Sequence, residues 1–282
     1  KGGKHLEEVA KVNTVLFDKT GTLTLGQPRV EEVITDDGLT MEEVISFAAG
    51  AEQNCTHPLA RAVMKAAHYA KVTISKVENV LSEIGIGVRA VLDGSVIEVG
   101  SAYLGNGESA LSIPFRERLA DLKEKGATPL VVYKDQKSIG ILGVTDTVRQ
   151  TARHAVENLR SLGVTQMGIL SGDHEKSVAR IASATGIEKT WAGLKPQDKL
   201  QVIDKLQSQG HRVMFVGDGV NDAPALARAN IGVAMGSTGT DVALETAGAA
   251  LTRDEVNKLP FLIRLSRRML TLIKVNIGLG LI

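Results

Sequence analysis

Short apolar runs that stop at a carboxylate punctuate the chain. Residues 12–17 form a β-prone run ending at Asp18, with Gly21 close behind. A second run, 166–170, ends in Ser171-Gly172-Asp173, and a third, 212–216, ends in Gly217-Asp218-Gly219. Between them the apolar spacing is helical over 148–162, 176–185 and 198–209, and beyond them over 223–229, with a further strand at 231–234. Strands alternating with helices predict a parallel sheet covered on both faces. In such a sheet a carboxylate at the carboxyl end of a strand stands where ligands bind.

The middle of the chain follows a different rhythm. Two helical patterns, 41–51 and 58–70, precede short β-like runs at 76–82, 87–92, 95–99 and 130–133. Asp93-Gly94 between two of these runs is a hairpin signal. We therefore expect an α+β domain inserted after the first strand of an α/β domain. The expected division is 1–27 and 138–260 for the sheet domain and 28–137 for the insert. Segment 261–282 carries Arg264, Arg267, Arg268 and Lys274 in its first half and is nearly free of polar residues from 275 onward. It is expected to be a basic helix leading into a truncated membrane helix, with an amphipathic helix packed on the domain as the alternative.

Composition narrows the possible functions. Hydrophobic residues make up 43% of the 282 positions, enough for substantial cores. Aromatic residues are only 3%, too few for base-stacking platforms, and the formal charge of +1 favours neither DNA nor an anionic surface. No nucleic-acid partner is expected. A single cysteine, Cys55, excludes an internal disulfide and fits a reducing compartment. The chain starts Lys1-Gly2-Gly3-Lys4 without a signal peptide pattern and reads as a piece of something longer.

The strongest chemical signal is Asp18-Lys19-Thr20-Gly21-Thr22-Leu23-Thr24. An anionic carboxylate held at a strand end can attack phosphorus and form an acyl phosphate. Hydrolases built on such an aspartate commonly place a second carboxylate two residues later as general acid/base. Thr20 cannot do that work, so the acyl phosphate should outlive its formation. A second signal, Gly217 to Leu226, holds an aspartate pair, Asp218 and Asp222, able to supply oxygen ligands to Mg²⁺ beside Asp18.

The heptapeptide resembles the phosphorylation signature of P-type ATPases, within the haloacid dehalogenase superfamily, and the glycine-rich segment resembles that family's second signature. The resemblance implies a haloacid-dehalogenase-like α/β parallel sheet domain carrying an inserted α+β nucleotide-binding domain, with ATP and Mg²⁺ as ligands. It places Asp18, Thr20 and Asp218 around Mg²⁺, with Asp222 supporting the site, Asn221 near the phosphate and Lys19 beside the nucleophile. By the same resemblance Ser171, Gly172 and Asp173 form a phosphate-binding strand end, and Lys199 neutralises the phosphate. Asp146 and Arg149 resemble the family's hinge element, although Gln150 stands where proline is usual; Thr240-Asp241 is matched as structural support. Trp191 reads as a packing residue.

In the insert, Glu52, the His57-Pro58 pair and Gly85-Ile86-Gly87 resemble the nucleotide-binding domain of heavy-metal-transporting P-type ATPases. That resemblance implies an adenine and ribose pocket lined by Glu52, His57, Gly85, Gly87 and Asp93. No Walker loop occurs. Residues 235–247 and 259–276 look more like the zinc/cadmium/cobalt branch than the copper branch, although Gly248 departs from the expected pattern. The implied partners are the membrane and actuator domains of the same polypeptide and a transported divalent metal. The implied location is the cytoplasmic face of a membrane, in a prokaryote the plasma membrane. Alternatives are a copper or potassium pump fragment, a stand-alone phosphatase of the superfamily, or a nucleotide-binding module without catalysis. Cys55 reads as an ordinary small residue.

Overall fold

The computed structural model describes residues 2–36, 38–74, 77–83, 87–92, 94–101, 104, 111–218, 222–236, 245–251 and 255–280. It divides into two compact units, Lys1–Gly26 with Val148–Ile282, and Gln27–Thr147.

The first unit is built on β1 (Thr14–Asp18), whose five residues are all buried. After β1 come α5 (Ala152–Ser161), β8 (Gln166–Leu170), α6 (Glu175–Thr185), β9 (Lys189–Trp191), α7 (Pro196–Ser208), β10 (Val213–Gly217), α8 (Ala223–Arg228), β11 (Ile231–Met235) and β12 (Ala249–Leu251). The sheet order is β12-β11-β10-β1-β8-β9, every pairing parallel. Alternation of side chains sends Val15 and Phe17 to one face and Leu16 to the other. The first face packs on Val156 and Leu159 of α5 and Val178 and Ile181 of α6; the second packs on Ile203 and Leu206 of α7 and Leu226 of α8. Because β1 is central, the carboxyl ends of β10, β1 and β8 stand side by side, about 4.8 Å apart in the hydrogen-bonding direction.

The second unit starts with β2 (Thr24–Thr35), a strand that begins at the end of the first unit. Then come α2 (Met41–Glu52), α3 (Pro58–Ala70), β3 (Glu78–Glu83), β4 (Gly87–Leu92), β5 (Ser95–Gly100), α4 (Ile113–Glu124), β6 (Thr128–Lys134) and β7 (Lys137–Val148). The sheet order is β2-β7-β6-β5-β4-β3, antiparallel from β3 through β7. Leu130 and Val132 face α2 and α3, while Val131 and Tyr133 face Phe115, Leu119 and Leu122 of α4. The return to the sheet domain expected after residue 137 falls ten residues later, after Thr147. Lys137 opens a 12-residue strand that stays in the second unit's sheet, and for the same reason residue 148 ends a strand rather than starting a helix.

Two helices frame the first unit's termini. Helix α1 (Gly2–Lys11) packs against the 23-residue α9 (Lys258–Gly280), which buries Leu259 and Ile263. Arg267 of α9 donates to the carbonyls of Ala10, at 3.1 Å, Val12, at 3.0 Å, and Leu162. No described helix, α9 included, is long and apolar enough to cross a membrane.

Candidate active site

The site is assembled at the strand ends of the first unit. Asp18 closes β1, and the chain then makes a wide turn through Lys19–Leu23 before β2. Gly21 in that turn has φ +74°, and a Cβ there would lie 1.7 Å from Asp218 Oδ2. Only glycine therefore lets the end of β10 bring Asp218 against the turn. Thr24 Oγ1 accepts from Gly21 N at 3.3 Å and donates to Lys19 O at 3.0 Å. Arg149 clamps the turn from outside, donating to Gly21 O at 2.7 Å and Thr22 O at 2.9 Å. Nothing in the spacing of the sequence announces this clamp; the only signal was the hinge-like Asp146-x-x-Arg149 element. Asp146 in turn accepts from the Gln27 amide at 3.1 Å, where the strands of the second unit begin and end.

Lys199, in the first turn of α7, reaches the same point. Its Nζ lies 2.6 Å from Asp18 Oδ1 and 2.8 Å from Asp222 Oδ1, and all three residues are buried. One carboxylate oxygen from each of Asp18, Asp218 and Asp222 lies within 4.8 Å of the others. Three carboxylates around one ammonium leave an excess of negative charge. Burial, then the Asp222 carboxylate and more weakly Asp218, push the Asp18 carboxyl up to about 7 against the pull of Lys199. Burial alone would lower the Lys199 ammonium, but Asp18 and Asp222 overcome it and hold it above its ordinary value.

A cleft of about 380 Å³ opens over this cluster, lined by Asp18, Thr20, Ser171, Gly172, Asp173, Lys199, Asp218 and Asp222 among others. Lys19 pairs with Asp173 at 2.7 Å and so forms part of the wall. The Ser171 hydroxyl accepts from Asp173 N at 3.1 Å. The structure thus brings together Asp18, Thr20, Ser171, Gly172, Asp173, Lys199, Asp218 and Asp222, with Lys19 against Asp173; Asn221 and Thr240-Asp241 lie outside the described residues. Trp191, half-buried, packs into the core beneath β8 and α7.

In the second unit the adenine-pocket candidates are partly visible. Glu52 ends α2 and is buried; His57 caps α3, its Nδ1 accepting from Ala60 N at 3.1 Å. His57 Nε2 lies 3.1 Å from Glu52 Oε2. Burial raises the Glu52 carboxyl, with His57 and Cys55 opposing, and burial followed by the Glu52 charge raises the Cys55 thiol. The space beside Gly87 is taken: a Cβ there would meet Leu104 at 2.2 Å and Val99 O at 2.3 Å. Gly87 thus serves close packing on β5 in this structure. Gly85 and Asp93 lie outside the described residues.

A family model for haloacid dehalogenase-like hydrolases matches residues 12–230. The catalytic domain of the CPx-ATPase CopB-B, solved in a study of nucleotide binding, is 32% identical with a TM-score of 0.76, covering 93% of this chain and 94% of that domain. The chain belongs to the haloacid dehalogenase-like hydrolases, in the P-type ATPase group. A zinc-transporting PIB-type ATPase in its E2.Pi state is 39% identical to this P-type ATPase chain, with a TM-score of 0.88 over 100% of it and 45% of that protein. The cadmium-transporting ATPase of Staphylococcus aureus is 39% identical over 282 residues, 98% of this chain. The P-type ATPase chain described here spans 39% of that relative's length.

Proposed function

We propose that this chain is the ATP-hydrolysing portion of a divalent-metal exporter, phosphorylated on Asp18 in each cycle. The observation that carries the reading is the meeting of Asp18, Asp218, Asp222 and Lys199 at the floor of one cleft. The three carboxylates are an all-oxygen donor set of the kind Mg²⁺ prefers. Asp18 and Asp218 would hold the ion, with Thr20 beside them and Asp222 behind. Mg²⁺ there would neutralise the excess negative charge and draw phosphate oxygens toward Asp18.

The protein's own groups do the rest. Asp18, fixed by the strand and the Arg149 clamp, attacks the γ-phosphorus of ATP in line; the bond to the ADP oxygen breaks and ADP leaves with the electron pair. Lys199 exchanges its pairing with Asp18 for the transferred phosphate. Ser171 with the backbone at Gly172, and Asn221 by resemblance, contact the phosphate oxygens. Thr20 carries no carboxylate to activate water, so the acyl phosphate persists long enough to be coupled to motion. Glu52 and His57 hold the nucleotide base in the second unit, with Gly85, Gly87 and Asp93 assigned to the same pocket by resemblance alone. Zinc or cadmium as the exported ion is supported by the names of the relatives. Transport itself would require a membrane part of the same polypeptide, with this chain at its cytoplasmic face.

The test is incubation with Mg²⁺ and γ-phosphate-labelled ATP. The expected product is an acid-stable, hydroxylamine-sensitive label that Asp18→Asn abolishes. A label that persists in Asp18→Asn would overturn the assignment, and rapid turnover of small phosphoesters without a trapped label would move the reading to a phosphatase.

A further inference from the structure

The turn joining α2 to α3 gathers a second set of ligand atoms. A carboxylate oxygen of Glu52, the Cys55 sulfur and a ring nitrogen of His57 lie within 4.8 Å of one another. Local geometry explains the convergence. Glu52 is the last residue of α2, the Cys55 amide donates back to Glu52 O at 2.9 Å, and His57 is the N-cap of α3.

The carboxylate carries the decisive detail. Glu52 is 2% exposed, and its Oε2 has no hydrogen-bond donor. His57 Nε2 comes within 3.1 Å of that oxygen, but its N–H does not point along the contact. A buried carboxylate oxygen left without a donor is costly, and this one is aimed at the space between an imidazole and a thiol. His57 is 43% exposed and Cys55 half-buried, so the space is open to solvent on one side.

We propose that Glu52, Cys55 and His57 form a binding site for a thiophilic divalent cation of the zinc and cadmium class. Thiolate, imidazole and carboxylate are three of the ligand types such ions take in tetrahedral sites, with water left for the fourth position. Mg²⁺, which demands oxygen ligands, is excluded here by the same chemistry that suits it to the aspartate cluster. On binding, the Cys55 thiol releases its proton to solvent, and thiolate and carboxylate together balance the two positive charges. His57 offers Nε2, its proton shifts to Nδ1, and the cap on Ala60 is exchanged for the metal bond. One consequence rests on the nucleotide reading above: a cation held by Glu52 and His57 removes both from the adenine pocket and lowers nucleotide affinity.

The experiment is a cadmium titration of the whole chain in excess Mg²⁺, read by the ultraviolet cadmium–thiolate charge-transfer band. Cys55 is the single cysteine, so the band reports this site alone. One equivalent should saturate it, and amide exchange at Ala60 should accelerate. Cys55→Ser should abolish the band, and Glu52→Gln and His57→Gln should each weaken binding at least about tenfold. Far-ultraviolet circular dichroism checks that each variant is folded. Absence of the band at stoichiometric cadmium, or wild-type affinity in folded Glu52→Gln and His57→Gln, would overturn the site. The nucleotide consequence is read separately, by titrating a fluorescent ATP analogue with and without saturating cadmium. Unchanged nucleotide affinity would refute the adenine assignment of Glu52 and His57 while the band still supported the metal site.

Discussion

Replacing Asp18 with Asn should make the metal-free protein more stable, although it destroys the nucleophile. Asp18 is buried beside Asp222 and Asp218, and its carboxyl is pushed from an ordinary 3.8 up to about 7. The folded state therefore holds a proton that the unfolded chain has released, and stability falls as pH rises through that window. Above about pH 7 the full penalty applies, on the order of 4 kcal/mol for a shift of this size. Asn has nearly the shape of the protonated side chain and keeps an oxygen for Lys199, which retains Asp222 at 2.8 Å. In EDTA the gain from Asp18→Asn should be about 4 kcal/mol near pH 8 and shrink to less than half of that near pH 5. Urea unfolding followed by Trp191 fluorescence is the assay, because the only tryptophan lies in β9 of the same unit. Excess Mg²⁺ should narrow the difference by binding the folded wild type, with about 2.7 kcal/mol gained at a hundredfold excess over its Kd. A metal-free Asn variant less stable than wild type near pH 8 would refute the reasoning. It would mean that the Lys199 attraction outweighs burial and the two neighbouring carboxylates.

Two further substitutions probe how the turn after β1 is held. Gly21→Ala puts a Cβ 1.7 Å from Asp218 Oδ2 at a φ of +74°. It should cost about 1–2 kcal/mol in urea unfolding from the backbone alone and cut the rate of Asp18 labelling about a hundredfold by displacing Asp218. Arg149→Met removes the two charged donors to Gly21 O and Thr22 O, with an expected loss of about 3 kcal/mol in the same unfolding assay. Arg149→Lys should recover less than half of it, since lysine lacks the planar fork.

The parallel sheet, its helices and the order of the three acidic strand ends were legible in the sequence because each rests on local periodicity. Val15, Leu16 and Phe17 alternate, and Asp18 follows whatever the rest of the chain does. Helices α2 and α3 of the insert were equally readable, since Thr40 and Glu43 form a capping box ahead of α2 and Pro58 opens α3, whereas α4 was not anticipated. Strands β2 and β7 were not. Their residues carry no clean alternation over their 12-residue lengths, and what holds them extended is pairing with neighbours distant in sequence. The boundary at Thr147 moved with them.

The residue types at the site, a nucleophilic carboxylate, oxygen donors and a lysine, were fixed by covalent order alone. Tertiary structure decided which of them touch. The separation of 181 positions between Asp18 and Lys199 is closed to a 2.6 Å contact only because β1 lies inside the sheet and α7 packs across one of its faces. The same closure sets the charge balance that raises Asp18. In the second unit, packing within that unit likewise leaves Glu52 Oε2 facing Cys55 and His57 without a donor, because burial and hydrogen-bond direction are properties of neighbours in space, which a linear pattern does not encode.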